Sequence, residues 1–291
     1  MLVIWSILRH KRILVALLVA VFFTMKIASN ILRDPPMKDD EIDKIKHRLA
    51  IVVPFRDRFD ELMIFVPYLS RFLIEQKTVP FKIYVVNQSR KYRFNRGSLI
   101  NVGYMLAKNH SDYIAMHDVD LIPMNKNLTY PYPSAGPYHL SAPDYHPKYN
   151  YSKYIGGILL ISNKDFEKVN GMSNRYFGWG LEDDEFYTRL MSAKLSISRP
   201  SGLETNSSNT FLHLHYERRR DAYKTKEQRE VLRYRDRVTG LSDLNYLVTS
   251  THELVIDGFS CSVYNVELHC DTSKTPWCLK SYVRKGTTTV R

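Results

Sequence analysis

Cysteine is scarce in this chain of 291 residues. The three cysteines, Cys261, Cys270 and Cys278, all lie near the C-terminus, and none belongs to a Cys-x-x-Cys pair. Because cysteine-based zinc modules need such closely spaced pairs, a zinc-finger protein is excluded. Internal repeats and low-complexity tracts are also missing. The sequence is therefore typical of a globular protein of one or two domains.

Acidic residues are outnumbered as well, 30 Asp and Glu against 42 Lys and Arg, which gives a formal charge of +12. This excess favours an anionic partner, and nucleic acid, a membrane surface, nucleotide phosphates and acidic polysaccharide all qualify. A solvated basic surface without a specific partner is an equally good interpretation. Charge alone therefore does not choose the function.

A long apolar run begins at Ile13, directly after the basic cluster Arg9–Arg12. Positive charge before such a run keeps the N-terminus in the cytosol, which gives a single-pass type II orientation. A cleaved signal peptide is the alternative, but the residues after Lys26 offer no small-x-small cleavage site. We predict a cytoplasmic tail over 1–12, a transmembrane signal anchor over 13–32, a stem over 33–46 and a lumenal catalytic domain over 47–291.

Translocation would expose the chain to disulfide formation and N-glycosylation. Cys270 and Cys278 can close a small loop, which leaves Cys261 as a buried thiol, but a Cys261–Cys270 pair is nearly as compatible with the sequence. Several sequons can be buried or too near a cleft to be modified. The candidate glycosylation sites are Asn87, Asn109, Asn127, Asn150 and Asn206.

From His47 onward, short apolar runs alternate with helical periodicity. Strands are predicted at 49–53 (ended by Pro54), 81–86, 112–117 and 155–161, and helices at 61–75 and 96–108. A loop rich in Tyr, Pro and His follows at 131–154, and a charged helix is expected within 224–237. Right-handed crossovers then predict an α/β fold with a Rossmann-like, mostly parallel sheet flanked by helices, and ligands at the carboxyl ends of its strands.

Two short motifs suit a divalent cation. Asp118-Val119-Asp120 follows the third predicted strand. Paired carboxylates there suit Mg²⁺ or Mn²⁺ on a diphosphate, although most such triplets are turns or surface acids. In His213-Leu214-His215, residues two apart on an extended segment point to one face, so both imidazoles can reach one ion. Imidazole beside carboxylate favours Mn²⁺, whereas two ordinary histidines are the alternative.

The segment Phe177–Glu185 carries the most specific pattern, because glycines flank Trp179 and three acids at 182–184 then open a predicted helix. Such acids usually cap a helix or complement its dipole, and the tryptophan can belong to the core. The arrangement also suits an ionised base for a sugar hydroxyl, beside an aromatic surface for sugar C–H groups. Residues that can pair with phosphate, or equally with surface acids, are Arg56, Arg58 and Arg96.

In order and spacing, these segments resemble the β-1,4-galactosyltransferase family from about residue 47 to 278. The motifs are Val53–Arg58, Phe94–Arg96, Asp118–Asp120, Tyr154–Gly157, Gly178–Asp184 and His213–His215. Three further segments make the chain look most like the family members that add the first galactose of the glycosaminoglycan linkage. These segments are Leu181–Glu185, Ala142–Pro147 and Thr275–Cys278. Lactose-type relatives instead carry Gly at the position of Leu181 and Asp at that of Glu185.

The resemblance implies a GT-A glycosyltransferase fold behind a transmembrane helix in the Golgi membrane. It implies an inverting transfer of galactose from UDP-galactose to O4 of xylose on a proteoglycan core protein, with Mn²⁺ as cofactor. A nucleic acid partner, which the charge alone would allow, is contradicted by the predicted anchor. One alternative is the same fold acting on N-acetylglucosamine-terminated glycans, as a galactosyl- or N-acetylgalactosaminyltransferase. Another is a non-catalytic lumenal glycan-binding module, which would not need both metal ligands and a base.

The resemblance also assigns roles to single residues. Asp183 matches the catalytic base, and the metal ligands match Asp120, His213 and His215. Acceptor contacts match Leu181, Glu182, Asp183 and Asp184. Donor contacts match Pro54, Phe55, Arg56, Asp57, Arg58, Phe94, Asn95, Arg96, Asp118, Val119, Asp120, Tyr154, Trp179, His213, His215 and Arg220. The segment that carries Arg220 is shorter than in the relatives.

Overall fold

Three parallel strands form the centre of the main sheet in the computed structural model, which describes residues 47–76, 79–89, 92–214, 221 and 223–285. Strand β1 (Leu49–Phe55) lies between β2 (Phe81–Gln88) and β3 (Tyr113–His117). All seven residues of β1 are buried, as expected of a strand that is covered on both faces. The predicted tail, anchor and stem lie outside the described residues.

Pro54 does not end β1, contrary to the prediction. It pairs with Val86 of β2, whereas the ladder between β1 and β3 already stops at Val52. Proline lacks an N–H and is tolerated in a strand where one neighbour is missing. The strand therefore continues through Pro54 to the edge of the sheet where the site lies.

The main sheet is mixed, which corrects the prediction of a mostly parallel one. The remaining strands are β4 (Leu121–Pro123), β5 (Tyr138–His139), β6 (Ile158–Ser162), β7 (Phe211–His213), β8 (Tyr246–Ile256) and β9 (Phe259–Leu268). The order is β5-β6-β3-β1-β2-β9-β8, and β9 is parallel to β2, but the pairs β3-β6, β5-β6 and β8-β9 are antiparallel. Strand β6 follows a loop instead of a crossover helix, and β8 and β9 form a hairpin around Asp257 and Gly258, both at positive φ.

Helices cover both faces of the central strands. They are α1 (Phe59–Gln76), α2 (Arg96–Ala107), α3 (Asn163–Lys168), α4 (Glu182–Ser192), α5 (Lys226–Tyr234) and α6 (Lys280–Lys285). One cluster joins α1 to Ile51 and Val53 of β1, and the other joins α2 to Ala50 and Val52, as the alternation of a strand requires. Helix α2 packs closely, because a Cβ on Gly103 would lie 2.2 Å from Val52 Cγ1. None of the described helices is long and apolar enough to cross a membrane.

A disulfide closes the C-terminal segment of the domain. Cys270 and Cys278 are bonded, the first of the two predicted pairings, and Cys261 is a buried free thiol on β9. Trp277 lies buried within the disulfide loop, and its indole Nε1 donates to the carbonyl of Arg175 at 3.0 Å.

One of the five sequons lies inside the sheet. The amide of Asn87, on β2, donates to Asn265 Oδ1 on β9 at 2.8 Å, which excludes this asparagine as a glycosylation site in the folded domain. The other four sequon asparagines, Asn109, Asn127, Asn150 and Asn206, are exposed. Only these four remain candidates for N-glycosylation.

Candidate active site

A cleft of about 710 Å³ opens where β1, β2 and β3 end. It gathers segments that are far apart in the chain, as the topology predicts for the carboxyl ends of parallel strands. The predicted site residues that line it are Pro54, Arg56, Arg58, Phe94, Arg96, Asp118, Val119, Asp120, Tyr154, Trp179, Leu181, Glu182, Asp183, Asp184 and His213. The predicted residues His215 and Arg220 lie outside the described residues.

Three predicted donor-binding residues do not line the cleft. Phe55 packs into the core between β1 and α1. Asn95 is buried as the N-cap of α2, where its Oδ1 accepts from the N–H of Ser98 at 2.9 Å. Asp57 adopts a left-handed backbone (φ 55°) directly after β1. These residues shape the loops that present their neighbours to the cleft.

Arg96 connects the two acidic motifs of the cleft. Its Nε donates to Asp118 Oδ1 and its Nη1 donates to Asp183 Oδ1, both at 2.7 Å. The guanidinium is placed by the first turn of α2, directly after the Asn95 cap. One largely shielded cation therefore holds the first acid of the Asp-Val-Asp motif and the predicted base in fixed positions.

The carboxylate of Asp183 is poised to exchange a proton near neutral pH. Burial raises the pKa of Asp183 to about 7, Arg96 opposes the rise, and Glu182, Asp118 and Asp184 add to it. The residue lies in the first turn of α4, whose dipole favours the ionised form. Here burial and neighbouring acids outweigh that dipole, so the pKa lies close to the value that suits a general base.

Gly156 allows the base and an aromatic ring to approach the same backbone. A Cβ at this position would lie 2.5 Å from Asp183 Oδ2 and 2.8 Å from Cε2 of Tyr154. Any side chain there would displace one of them. Gly156, the first glycine of the Tyr154–Gly157 motif, therefore keeps the space beside the base open.

The loop before β6 also supplies side chains to which the motifs assigned no role in the site. His146 is buried, its Nδ1 accepts from the N–H groups of Lys148 and Tyr149 at 3.0 Å, and its Nε2 lies 3.2 Å from Tyr154 Oη. Burial, followed by the charge of His213, lowers the pKa of His146 to about 4, so the ring is neutral. The hydroxyl of Tyr151 donates to Asp184 Oδ1 at 3.3 Å. The Tyr- and His-rich composition of this loop was the available signal.

Two of the three predicted metal ligands, Asp120 and His213, are brought to the cleft by a two-stranded ladder. Strand β4 pairs with β7, so that Leu121 lies opposite His213, and the N–H of Leu214 donates to the carbonyl of Asp120 at 2.7 Å. Asp120 and His213 both line the cleft. Within the described part of the chain, no three His, Cys, Asp or Glu side chains lie close enough to hold a metal. The pair that is described supplies the carboxylate and imidazole donors that suit Mn²⁺.

The loop that carries Trp179 is held by hydrogen bonds to Asp221 and Lys224. The N–H of Trp179 donates to the carbonyl of Asp221 at 2.7 Å, and Lys224 Nζ donates to the carbonyl of Trp179. Buried Arg93 binds both carboxylate oxygens of Asp221, at 2.7 and 2.8 Å, and the carbonyl of Trp277 at 3.2 Å. These contacts leave the indole 46% exposed as a flat wall of the cleft.

The sequence matches known family profiles and known proteins over most of the domain. Residues 32–132 match the profile described as the N-terminal region of glycosyl transferase group 7, and residues 136–214 match the profile described as the N-terminal domain of galactosyltransferase. Beta-1,4-galactosyltransferase 7 of Drosophila melanogaster is 50% identical over 235 residues, which are 80% of this chain and 73% of that protein. Xylosylprotein 4-beta-galactosyltransferase of Caenorhabditis elegans is 49% identical over 238 residues, or 80% and 82% of the two chains.

A solved structure is similar over nearly its whole length. A mutant of the Drosophila beta-1,4-galactosyltransferase 7, in complex with manganese, UDP-Gal and xylobiose, is 49% identical with a TM-score of 0.78. The match covers 80% of this chain and 99% of that one. Profile, sequence and fold agree, and the chain belongs to the β-1,4-galactosyltransferase family.

Proposed function

We propose that this chain is a glycosyltransferase of GT-A fold that transfers galactose from UDP-galactose to O4 of a xylose on a proteoglycan core protein. The resulting β-1,4 bond is the first galactose linkage of the glycosaminoglycan linkage tetrasaccharide. Two relatives that are half identical carry the names beta-1,4-galactosyltransferase 7 and xylosylprotein 4-beta-galactosyltransferase. The related Drosophila structure holds UDP-Gal together with xylobiose, a chain of two xyloses.

The single observation that carries the mechanism is the position of the Asp183 carboxylate. It lies in the cleft at the first turn of α4, anchored through Oδ1 to Arg96, with a pKa raised to about 7 by burial. A carboxylate in this state accepts the proton from O4 of the acceptor as that oxygen bonds to C1 of galactose. The bond from C1 to the diphosphate oxygen breaks with its electron pair, UDP leaves, and the anomeric centre inverts.

Mn²⁺ is the cofactor that fits the residues at the β4–β7 ladder. Asp120 and His213 would hold it, with His215 as the third predicted ligand. When bound, the ion supplies positive charge to the diphosphate of the leaving nucleotide. Arg56 and Arg58 line the same cleft and add fixed positive charge near the donor. Trp179, Leu181 and Tyr151 would orient the acceptor sugar beside the base.

Transfer assays with matched donors and acceptors test the proposal. UDP-galactose and UDP-N-acetylgalactosamine are each offered with an aryl β-xyloside and with an aryl N-acetylglucosaminide, in Mn²⁺ or EDTA. The proposal predicts Mn²⁺-dependent product with UDP-galactose and xyloside. Transfer to N-acetylglucosamine alone would keep the family and overturn the acceptor. UDP binding without any transfer would favour a non-catalytic glycan-binding module.

The cellular setting that goes with this activity is a type II protein of the Golgi membrane. The basic cluster before the apolar segment 13–32 supports this orientation, and the Cys270–Cys278 disulfide is the kind of bond that persists in an oxidising lumen. Synthesis in the presence of microsomes is predicted to protect residues 47–291 from added protease and to attach N-glycans at one or more of the four exposed sequons. Digestion of the domain in intact microsomes would contradict this topology.

A further inference from the structure

A second groove runs along the exposed side of α4 and shares a residue with the cleft. It has a volume of about 400 Å³, and Asp184 lines both cavities. The helix contributes Asp184, Tyr187, Met191 and their neighbours, which recur at the three- and four-residue spacing of one helix face. Because α4 begins next to the base, the groove starts near Asp183 and follows one side of the helix away from it.

The groove combines positive charge with apolar surface. Its cationic residues are Lys153, from the loop before β6, and Arg235, directly after α5. Within the described residues, neither Lys153 nor Arg235 forms an ion pair with an acid, although the Arg235 guanidinium also lies beside the hydroxyl of Tyr176. Two cationic side chains without an acidic partner favour an anionic ligand in the groove that they line. Tyr187 and Met191 supply the apolar wall.

We infer that this groove binds the polypeptide of the acceptor, and that it favours acidic residues beside the xylosylated residue. The inference rests on the proposed function. O1 of a pyranose, which carries the protein, lies across the ring from O4, so the polypeptide leaves the cleft on the side away from the base. The groove shares Asp184 with the cleft and leads away from the base along α4, so we assign it to that polypeptide.

A peptide fits this chemistry better than an anionic polysaccharide does. The carboxylate of Asp184 would repel a chain that carries only negative groups, but it can accept a backbone N–H from a peptide. Acidic side chains would pair with Lys153 and Arg235, and apolar side chains would contact Met191. On this inference, part of the chain's excess of basic residues serves to select the substrate.

Three acceptors test the inference: an aryl β-xyloside, a xylosylated serine peptide with flanking Glu residues, and the same peptide with flanking Gln. The wild-type domain is predicted to have a KM about five- to tenfold lower for the Glu peptide than for the Gln peptide, with similar kcat. The double variant Lys153→Gln/Arg235→Gln is predicted to lose this difference, so its ratio of kcat/KM for Glu peptide to that for xyloside falls by the same factor. Equal KM values for the two peptides in the wild type would overturn the inference.

Matched variants separate a local effect from net charge and from misfolding. Lys126→Gln/Lys164→Gln removes the same charge from exposed residues that line neither cavity, and it should keep the Glu preference. Lys153→Glu/Arg235→Glu should turn the preference toward a Lys-flanked peptide, an outcome that a merely structural role would not produce. Inhibition by a sulfated polysaccharide that only the Lys153/Arg235 variants escape, without any peptide preference, would assign the groove to polysaccharide and overturn the inference. Failure of the proposed function is distinct, because xyloside itself would then remain unmodified.

Discussion

The guanidinium of Arg96 and the carboxylate of Asp183 are joined by a 2.7 Å hydrogen bond from Nη1 to Oδ1. Arg96 begins α2 and Asp183 lies in the first turn of α4. The positive charge of Arg96 opposes the effect of burial, which by itself disfavours an ionised Asp183. Arg96 therefore tunes the proposed base as well as positioning it.

The first prediction concerns pH. With the pKa of Asp183 raised to about 7, a growing fraction of the free enzyme holds a protonated, inactive base as the pH falls below 7. We expect kcat/KM for xyloside to rise between pH 6 and pH 8 and then to level off. Arg96→Gln removes the charge that lowers this pKa, so the acid limb should move up by about one pH unit.

An Arg71→Gln control serves this experiment, because Arg71 forms an exposed ion pair with Asp257 and does not line the cleft. Its pH profile should match that of the wild type. An acid limb that stays in place in Arg96→Gln would show that Arg96 does not act on the titrating group.

The second prediction tests the base directly. Asp183→Asn keeps the size of the side chain but removes its ability to accept a proton. We expect kcat to fall about 10²- to 10⁴-fold, with UDP affinity in Mn²⁺ changed by less than about threefold. Single-turnover kinetics and calorimetric titration with UDP measure the two quantities. A variant that retains most of its turnover would remove Asp183 from the role of base.

The third prediction concerns the metal. His213→Ala deletes one of the two described candidate ligands, so the Mn²⁺ concentration for half-maximal turnover should rise on the order of 100-fold. Part of the lost turnover should return at high Mn²⁺. His252→Ala, which removes an exposed histidine on β8, is the matched control. An unchanged Mn²⁺ dependence of His213→Ala would place the metal elsewhere.

The fourth prediction concerns backbone strain in the cleft. Leu181 precedes α4 with a left-handed backbone (φ 76°), which costs a residue with a Cβ about 1–2 kcal/mol. Leu181→Gly should therefore leave the free energy of unfolding unchanged or slightly raised. Met191→Gly, at a similarly exposed position inside α4, should lower it by about 1 kcal/mol. Equal losses in denaturant titrations of both variants would contradict the strain at Leu181.

The fifth prediction concerns Arg93, which holds the loop of Trp179 through Asp221. Arg93 is 1% exposed, whereas its partner Asp221 is 43% exposed. Arg93→Met should lower the free energy of unfolding by about 3 kcal/mol, the lower end for a buried pair because Asp221 can be rehydrated. Arg71→Met, which breaks an exposed pair, should cost less than about 1 kcal/mol. If the two losses were equal, Arg93 would not be the anchor of this loop.

Much of the fold could be predicted because its signals are local. The periodicity of the first three strands and of α1 and α2 places them within a few residues of the structure. The mixed sheet could not be predicted in the same way. Strand β6 is a short apolar run whose direction depends on the loop that precedes it, and β8 and β9 are half-exposed strands without a strong pattern.

The residues of the cleft also divide into those that could be predicted from the sequence and those that could not. The acidic and histidine motifs could be identified because they are contiguous and lie at element ends. Arg93, His146 and Lys224 could not be, because their roles depend on partners elsewhere in the fold: Arg93 meets Asp221, for example, across 128 positions in the sequence. Phe55 and Asn95 lie within motifs that match the family. The side chain of Phe55 nevertheless packs in the core, and that of Asn95 caps helix α2.

The most direct test of the account is the product formed from UDP-galactose and an aryl β-xyloside by the domain from about residue 47 onward. A 4-deoxy-xyloside serves as the matched acceptor, and the product linkage is determined by NMR. The account predicts Mn²⁺-dependent formation of a β-1,4 galactosyl-xyloside and no product from the 4-deoxy compound. Galactose attached at another xylose oxygen, or with retained configuration, would contradict it.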